Sequence, residues 1–331
     1  MRIQVLVKRV IIALITIFFA ITFTFTLIHM MPGDAIKQWA VELAQSRGIT
    51  YQQAYEQVKL MINYDPNEPL NKQYIRYMVG ILKGNLGESM VYHMPVSKII
   101  FGALPWTLFV LSISLLLSFF IGVWLGINMA WRRKSLLDPV VSFYAVITNA
   151  IPDYIMALLL LILLAINTNI FPQRGAYSPY VQPGFNLAFI LSALYYAVLP
   201  ILSYTLTQLG SWALSMRGSA ISVIGEDYVN AAKARGIPHN QIMHNYIQRN
   251  AILPLVTSLA ISFAMMFGGS TLVENTFGYP GIGYFFGQAV SRRDYILMQG
   301  LFLLTTITVI VANFIADLLY SSLDPRIKIE E

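Results

Sequence analysis

The sequence contains no cysteine and few charges: 22 lysines and arginines and 16 aspartates and glutamates among 331 residues. Without cysteine there is no disulfide, no thiolate nucleophile and no cysteine-ligated metal, and the compartment is left open. The four histidines, His29, His93, His239 and His244, make no ligand set, since only the last two are close together, in a polar stretch. The pattern G-x-x-x-x-G-K-[ST] is missing, which excludes a P-loop nucleotide site, and so are H-E-x-x-H and G-x-S-x-G. No low-complexity segment or repeat stands out. The chain therefore offers no catalytic residue, no metal site and no cofactor site of its own.

What the sequence has is apolar side chain. It is 56% hydrophobic, with a mean hydropathy of +0.61. A soluble protein of this size needs more polar surface, whereas an all-α polytopic membrane protein does not. The net charge of +6 does not point to nucleic acid. The basic residues cluster beside apolar runs, as at Lys8-Arg9 and Arg132-Arg133-Lys134, which suits anionic lipid on the inner leaflet.

Six apolar runs read as spans: Val10–His29, Leu104–Ala130, Pro139–Ile166, Phe185–Met216, Ala251–Val273 and Met298–Tyr320. The first is too long for a signal-peptide core and no Ala-x-Ala site follows, so it is expected to stay, with the N-terminus inside. Short inner segments are densely basic, whereas the outer loop 167–186 carries only Arg174. By that asymmetry both termini lie in the cytoplasm. The chain then divides into residues 1–30 (tail and first span), 31–103 (an outer helical region) and 104–331 (a five-helix core with a cytoplasmic loop, 217–250). The outer region is predicted to hold helices around Ala35–Ser46, Tyr51–Met61 and Lys72–Leu82, divided at Asp65-Pro66-Asn67. Its aromatics, among them Trp39, Tyr55 and Tyr92, suit a packed cap and equally a contact surface for an extracytoplasmic binding protein.

Several positions inside the spans have two readings. Gly122 and Gly126 form G-x-x-x-G, a helix contact face or a chance occurrence. Pro105 falls in the first turn of its span, where a missing N–H costs little. Asn149, Pro152 and Asp153 sit near the middle of the third span. Proline frees backbone groups that only protein or a water-filled cavity can satisfy. An ionisable group at that depth marks a pathway by default, or else it pairs with a neighbouring helix or caps the kink. Pro152 and Pro200 are candidate flex points. Glu274 is a loop-facing carboxylate at a helix end or a gating, substrate-facing one. Asn313 and Asp317 share one helical face near the cytoplasmic end, which suits packing.

The stretch Ser219–Pro254 is a polar island between two apolar runs. Within it a short helix has both ends marked. Glu226 and Asp227 suit the positive end of its dipole, and Lys233 and Arg235 the negative end. Gly236 stands at the left-handed cap position and Pro238 prevents continuation. Ala231, Ala232 and Ala234 leave little side chain between them. The element reads as a docking helix or as a solvated loop with one helical turn.

Four stretches carry a family resemblance: Met31-Pro32-Gly33-Asp34; Asp227-Tyr228-Val229 with Ala232, Gly236, Arg249-Asn250-Ala251 and Leu253-Pro254; Glu274 through Gly283 to Tyr295; and Asn313-x-x-x-Asp317 followed by Asp324-Pro325-Arg326. Over nearly the whole chain they resemble the permease subunits of ABC importers, in the oligopeptide/dipeptide branch. One departure is Asn230, which stands where the family's loop motif has an acidic residue. The resemblance implies a six-helix type I importer permease in a bacterial-type inner (plasma) membrane, surrounded by lipid. It implies a heterodimer with a second, related permease, two ATPase subunits that bind ATP and Mg, and an extracytoplasmic solute-binding protein. Asp227, Tyr228, Asn230, Ala231, Ala232, Arg235 and Gly236 would form the coupling helix that docks on the ATPase. Cargo would be peptides, with oligosaccharides or nickel chelates as the other solutes of the branch. The rival class is an ion-coupled secondary transporter, which needs several intramembrane charges and inverted repeats; the spans offer Asp153 and, near an edge, Asp317.

Overall fold

The computed structural model describes residues 3–30, 35–62, 68–132, 135–266 and 271–323. Met31-Pro32-Gly33-Asp34, Asp65-Pro66-Asn67, Arg133-Lys134, Gly268-Gly269, Asp324-Pro325-Arg326 and the side chains of Asn313 and Asp317 lie outside the described residues. The named elements among the described residues are all helices, with no strand among them. Helix α1 (Ile3–Met30) is followed by α2 (Ala35–Arg47), α3 (Tyr51–Ile62) and α4 (Leu70–Leu82), the helices of the 31–103 region. Then come α5 (Val96–Trp131), α6 (Leu137–Ala150) and α7 (Asp153–Leu160), the last continuing into a π-helical stretch, Leu161–Ile166. Helix α8 (Leu187–Ile224) leads to α9 (Asp227–Ala234) and α10 (His239–Gln241), then a second π-helical stretch, Ile242–Gln248. The chain finishes with α11 (Arg249–Ala251), α12 (Leu253–Met265), α13 (Thr271–Thr276), α14 (Ile282–Ser291) and α15 (Tyr295–Leu323).

Two helices, α5 with 36 residues and α8 with 38, are long and apolar enough to cross a membrane, and the bent pair α6–α7 makes a third if counted as one span. Shorter apolar stretches lie at Val10–Thr26, Leu253–Phe263 and Tyr295–Val311. Large apolar side chains such as Phe19, Phe120, Trp124, Phe143 and Val146 point outward, as lipid contact permits. The chain is a multi-pass membrane protein.

The structure departs from the expected spans in three places. Helix α5 starts at Val96 behind Pro95, so Pro105 lies in the helix interior rather than its first turn. The third span is not one helix: α6 and the α7 segment meet at 101°. Ile151, forced out of the helical region by the proline after it, is extended at φ −97°, ψ 117°. Pro152, at φ −59°, ψ 146°, then starts α7. The fourth span continues as α8 to Ile224, well past Met216, because nothing between Met216 and Gly225 breaks the helix.

The core sits along the α5–α8 contact, and the G-x-x-x-G pair is part of it. A Cβ placed on Gly126 would stand 2.7 Å from Met216 Cβ and 2.9 Å from the Arg217 nitrogen; on Gly122 it would stand 3.0 Å from the Leu209 carbonyl. Gly210 faces α6 with the same closeness, 2.6 Å from Ala145 Cα. Lipid tails are as apolar as leucine, so backbone approach of this kind, rather than expulsion from water, holds such helices together. One buried cluster at the foot joins Val123 and Ile127 of α5 to Met216 and Ala220 of α8 and to Val229, Ile242, Ile247 and Ala251. A second, at the other end, gathers Val110, Leu199, Tyr204, Phe277 and Tyr279.

Candidate functional site

Helix α9 is built as its sequence dictates. At its end the Gly236 N–H donates to the Lys233 carbonyl at 3.0 Å and the Ile237 N–H to the Ala232 carbonyl at 3.3 Å, the paired bonds of a Schellman cap. That cap needs a left-handed residue, and Gly236 has φ +69°. Val229 and Ala232 are buried against Met216, Ala220, Ile242, Met243 and Ile247. Asp227, Tyr228, Asn230, Ala231, Arg235 and Gly236 are exposed. The alanines therefore do not share a face: Ala232 points into the foot cluster, and Ala231 and Ala234 point outward. The Tyr228 phenol is pushed above its ordinary range, first by desolvation and then by the Glu226 carboxylate. The π-helical turn that follows is wider than an α-turn, and it brings Ile242, Met243 and Ile247 inward together. The Ser219 hydroxyl donates to the Ala251 carbonyl at 2.7 Å and ties α8 to α11.

The bend between α6 and α7 opens a polar cleft. It measures about 500 Å³ and is lined by Thr148, Asn149, Ile151, Pro152, Asp153, Thr207, Gln208, Ser211 and Trp212. Three of the four expected pathway residues, Asn149, Pro152 and Asp153, meet here. The Thr207 hydroxyl donates to Asp153 Oδ1 in a very short bond, and the Ser211 hydroxyl donates to Asn149 Oδ1 at 2.7 Å. Thr207, Gln208 and Ser211 lie on α8, so the cleft runs between the bend and that helix.

Glu274 is elsewhere. It is buried, 4% exposed, and accepts from the Thr107 hydroxyl at 2.8 Å and the Tyr284 N–H at 3.0 Å. Thr107 accepts in turn from the Ile282 N–H at 2.8 Å. These bonds fasten the Tyr279-Pro280-Gly281 turn to α5. Burial, and then the Glu274 charge, push the Tyr279 phenol above its ordinary range.

Sequence reasoning missed two anchoring carboxylates. Asp138 at the start of α6 binds Arg217 of α8. Asp294, fully buried, accepts from the Ser89 hydroxyl at 2.5 Å, the Val91 N–H at 3.1 Å and the Leu297 N–H at 3.0 Å. The last bond is an N-cap on α15, and an aspartate immediately before an apolar run is the signal that shows it.

Residues 122–329, more than half of the chain, match the family described as "Binding-protein-dependent transport system inner membrane component". The chain is similar to the oligopeptide transport system permease protein AppB of Bacillus subtilis, 30% identical over 80% of this chain and 83% of the relative. It is similar to the oligopeptide transport system permease protein OppB of Haemophilus influenzae, 29% identical over 97% and 98%. A third relative is the dipeptide transport system permease protein DppB of Escherichia coli, 28% identical over 92% and 93%. The family match, spanning the long α8, the capped α9 and the polar cleft, places the chain among the inner-membrane permease components of binding-protein-dependent transport systems.

Proposed function

We propose that this chain is one of two related permease subunits in a bacterial plasma-membrane importer that moves peptides under ATP hydrolysis by two separate ATPase subunits. Peptides enter from an extracytoplasmic binding protein. The observation that carries the reading is α9: a short helix closed by a Schellman cap at its C-terminal end, with one side buried on the foot of α5 and α8 and the other side exposed. In that reading α1, α5, the bent α6–α7 pair, α8, α12 and α15 are the six spans, both termini are cytoplasmic, and α9 is the coupling helix. ATP and Mg bind on the ATPase subunits. When those subunits close, α9 moves with them. Its inner residues Val229 and Ala232 press on Met216 and Ala220 of α8, so the foot of α8 follows and the cleft at Asp153 changes access. The relatives' names supply the solute class, peptides, and the length of chain they cover supports the transfer.

The test is a mild-detergent pull-down of the tagged native chain with partners identified by mass spectrometry. The expected result is two P-loop ATPases, a second permease and a solute-binding protein, with ATP-dependent uptake of peptides once the recovered complex is reconstituted into vesicles. Recovery of the chain alone, still moving solute without ATP, overturns the reading in favour of a secondary transporter.

A further inference from the structure

The cleft between the α6–α7 bend and α8 is lined by one carboxylate and by no basic side chain. Asp153 Oδ1 is occupied by Thr207, while among the described residues no donor reaches Oδ2 and no lysine or arginine pairs with it. Around it stand the amides of Asn149 and Gln208, the Ser211 hydroxyl and the Trp212 ring. A site with acceptors, one negative charge and no cation complements a group that carries positive charge and several N–H donors. Its volume, about 500 Å³, falls in the range of sites for small molecules rather than folded chains. Asp153 opens α7, where the helix dipole and the Thr207 hydroxyl offset part of the cost of its charge, and its second oxygen is left for a cationic visitor.

We propose that Asp153 is a specificity-determining residue that receives the protonated amino terminus of the peptide in transit, with the Asn149 and Ser211 oxygens available to accept beside it. The inference rests on the peptide reading above. It assigns that reading an orientation: the amino end of the solute engages this subunit, and a blocked amino end loses the contact. A charge-assisted hydrogen bond of this kind contributes about 1.5–3 kcal/mol, which is roughly a tenfold difference in occupancy or more.

The test uses the complete transporter in proteoliposomes without its binding protein, so that only the permeases select. Two photoreactive tri-alanine probes, one with a free amino terminus and one N-acetylated, are cross-linked and the label on this chain is measured. With the unsubstituted chain the free peptide is expected to label about tenfold more than the acetylated one. D153N, nearly isosteric, is expected to bring that ratio to about one, and D153E to restore most of it; gel filtration and ATPase activity confirm that the variants assemble. A ratio near one in the unsubstituted chain, or a ratio that survives D153N, overturns the assignment, and the first of these is also the outcome if a cation of the second permease fills the cleft. ATP-driven uptake of free tri-alanine is measured in parallel with binding protein added. Its absence in the unsubstituted transporter overturns the peptide reading itself, and the inference falls with it; uptake that proceeds while the labelling ratio fails overturns the Asp153 assignment alone.

Discussion

Arg217 on α8 and Asp138 at the start of α6 form a two-pronged ion pair, Nε to Oδ1 at 2.7 Å and Nη2 to Oδ2 at 2.8 Å. The two side chains are 35% and 21% exposed, so the pair lies between the weak surface case and the costly buried one. It joins the helix that carries the cleft's threonine to the one that leads into the bend.

Removing one partner leaves the other without its match. R217A and D138A are each expected to cost about 1–3 kcal/mol, read as a lower melting temperature of the purified complex. R217K is expected to recover only part of it, because an ammonium cannot reproduce the planar fork. A double-mutant cycle that returns no coupling between the two positions disproves the pairing.

Gly236 is a question of backbone rather than space. A Cβ there meets nothing within 4 Å, yet the left-handed conformation costs a non-glycine residue about 1–2 kcal/mol. G236V is therefore expected to loosen the end of α9, cutting ATP-driven uptake severely while insertion and expression persist. G236N, which tolerates that conformation, is expected to keep most activity. Equal uptake for all three chains sinks the coupling role.

Gly126 is the opposite case, since its Cβ position is already taken by α8. G126L is expected to push α5 away from α8 and to abolish recovery of folded complex, while G126A loses a few kcal/mol of stability by overpacking. Thermal denaturation of the solubilised complex decides it; an unchanged G126A profile means the two helices sit further apart than described.

Glu274 accepts from Thr107 at Oε1 and from the Tyr284 N–H at Oε2, and a glutamine replaces one of these two oxygens with an NH2 that can only donate. E274Q is expected to lose about 1–3 kcal/mol and to free the turn at Pro280-Gly281, measured as faster proteolysis or hydrogen exchange of residues 277–285. Protection unchanged by the substitution, with transport lost, would return Glu274 to a role in the pathway.

The features legible in the sequence were the local ones. The ends of α9 depend on residues within one or two turns of each other, Glu226 and Asp227 at one end and Gly236-Ile237-Pro238 at the other, and these behave as propensity requires. Helices α2, α3 and α4 begin and end within two residues of expectation for the same reason. Pro152 announced a break but not its angle, because the bend depends on how α7 finds support against α8. The pairings Asp153 with Thr207, Asp138 with Arg217, Glu274 with Thr107 and Asp294 with Ser89 join positions 54 to 205 residues apart. Their partners are chosen by packing, which a single chain of letters does not display. The π-helical stretches, Leu161–Ile166 and Ile242–Gln248, were illegible too, since neither carries a local residue signal that sets it apart from an α-helix.

The 38 residues of α8 give it a length of about 57 Å, close to twice the hydrocarbon thickness of a bilayer. Such a rod works as a lever arm. From Pro200 to Ile224 it extends about 36 Å, so a tilt of about 10° about the proline swings the foot sideways by about 6 Å. Read in the other direction, a displacement of a few ångströms imposed on α9 becomes a small rotation at the depth of Thr207. In the mechanism proposed above, access at Asp153 would then change through fine angular adjustment, geared down from a coarse motion at α9.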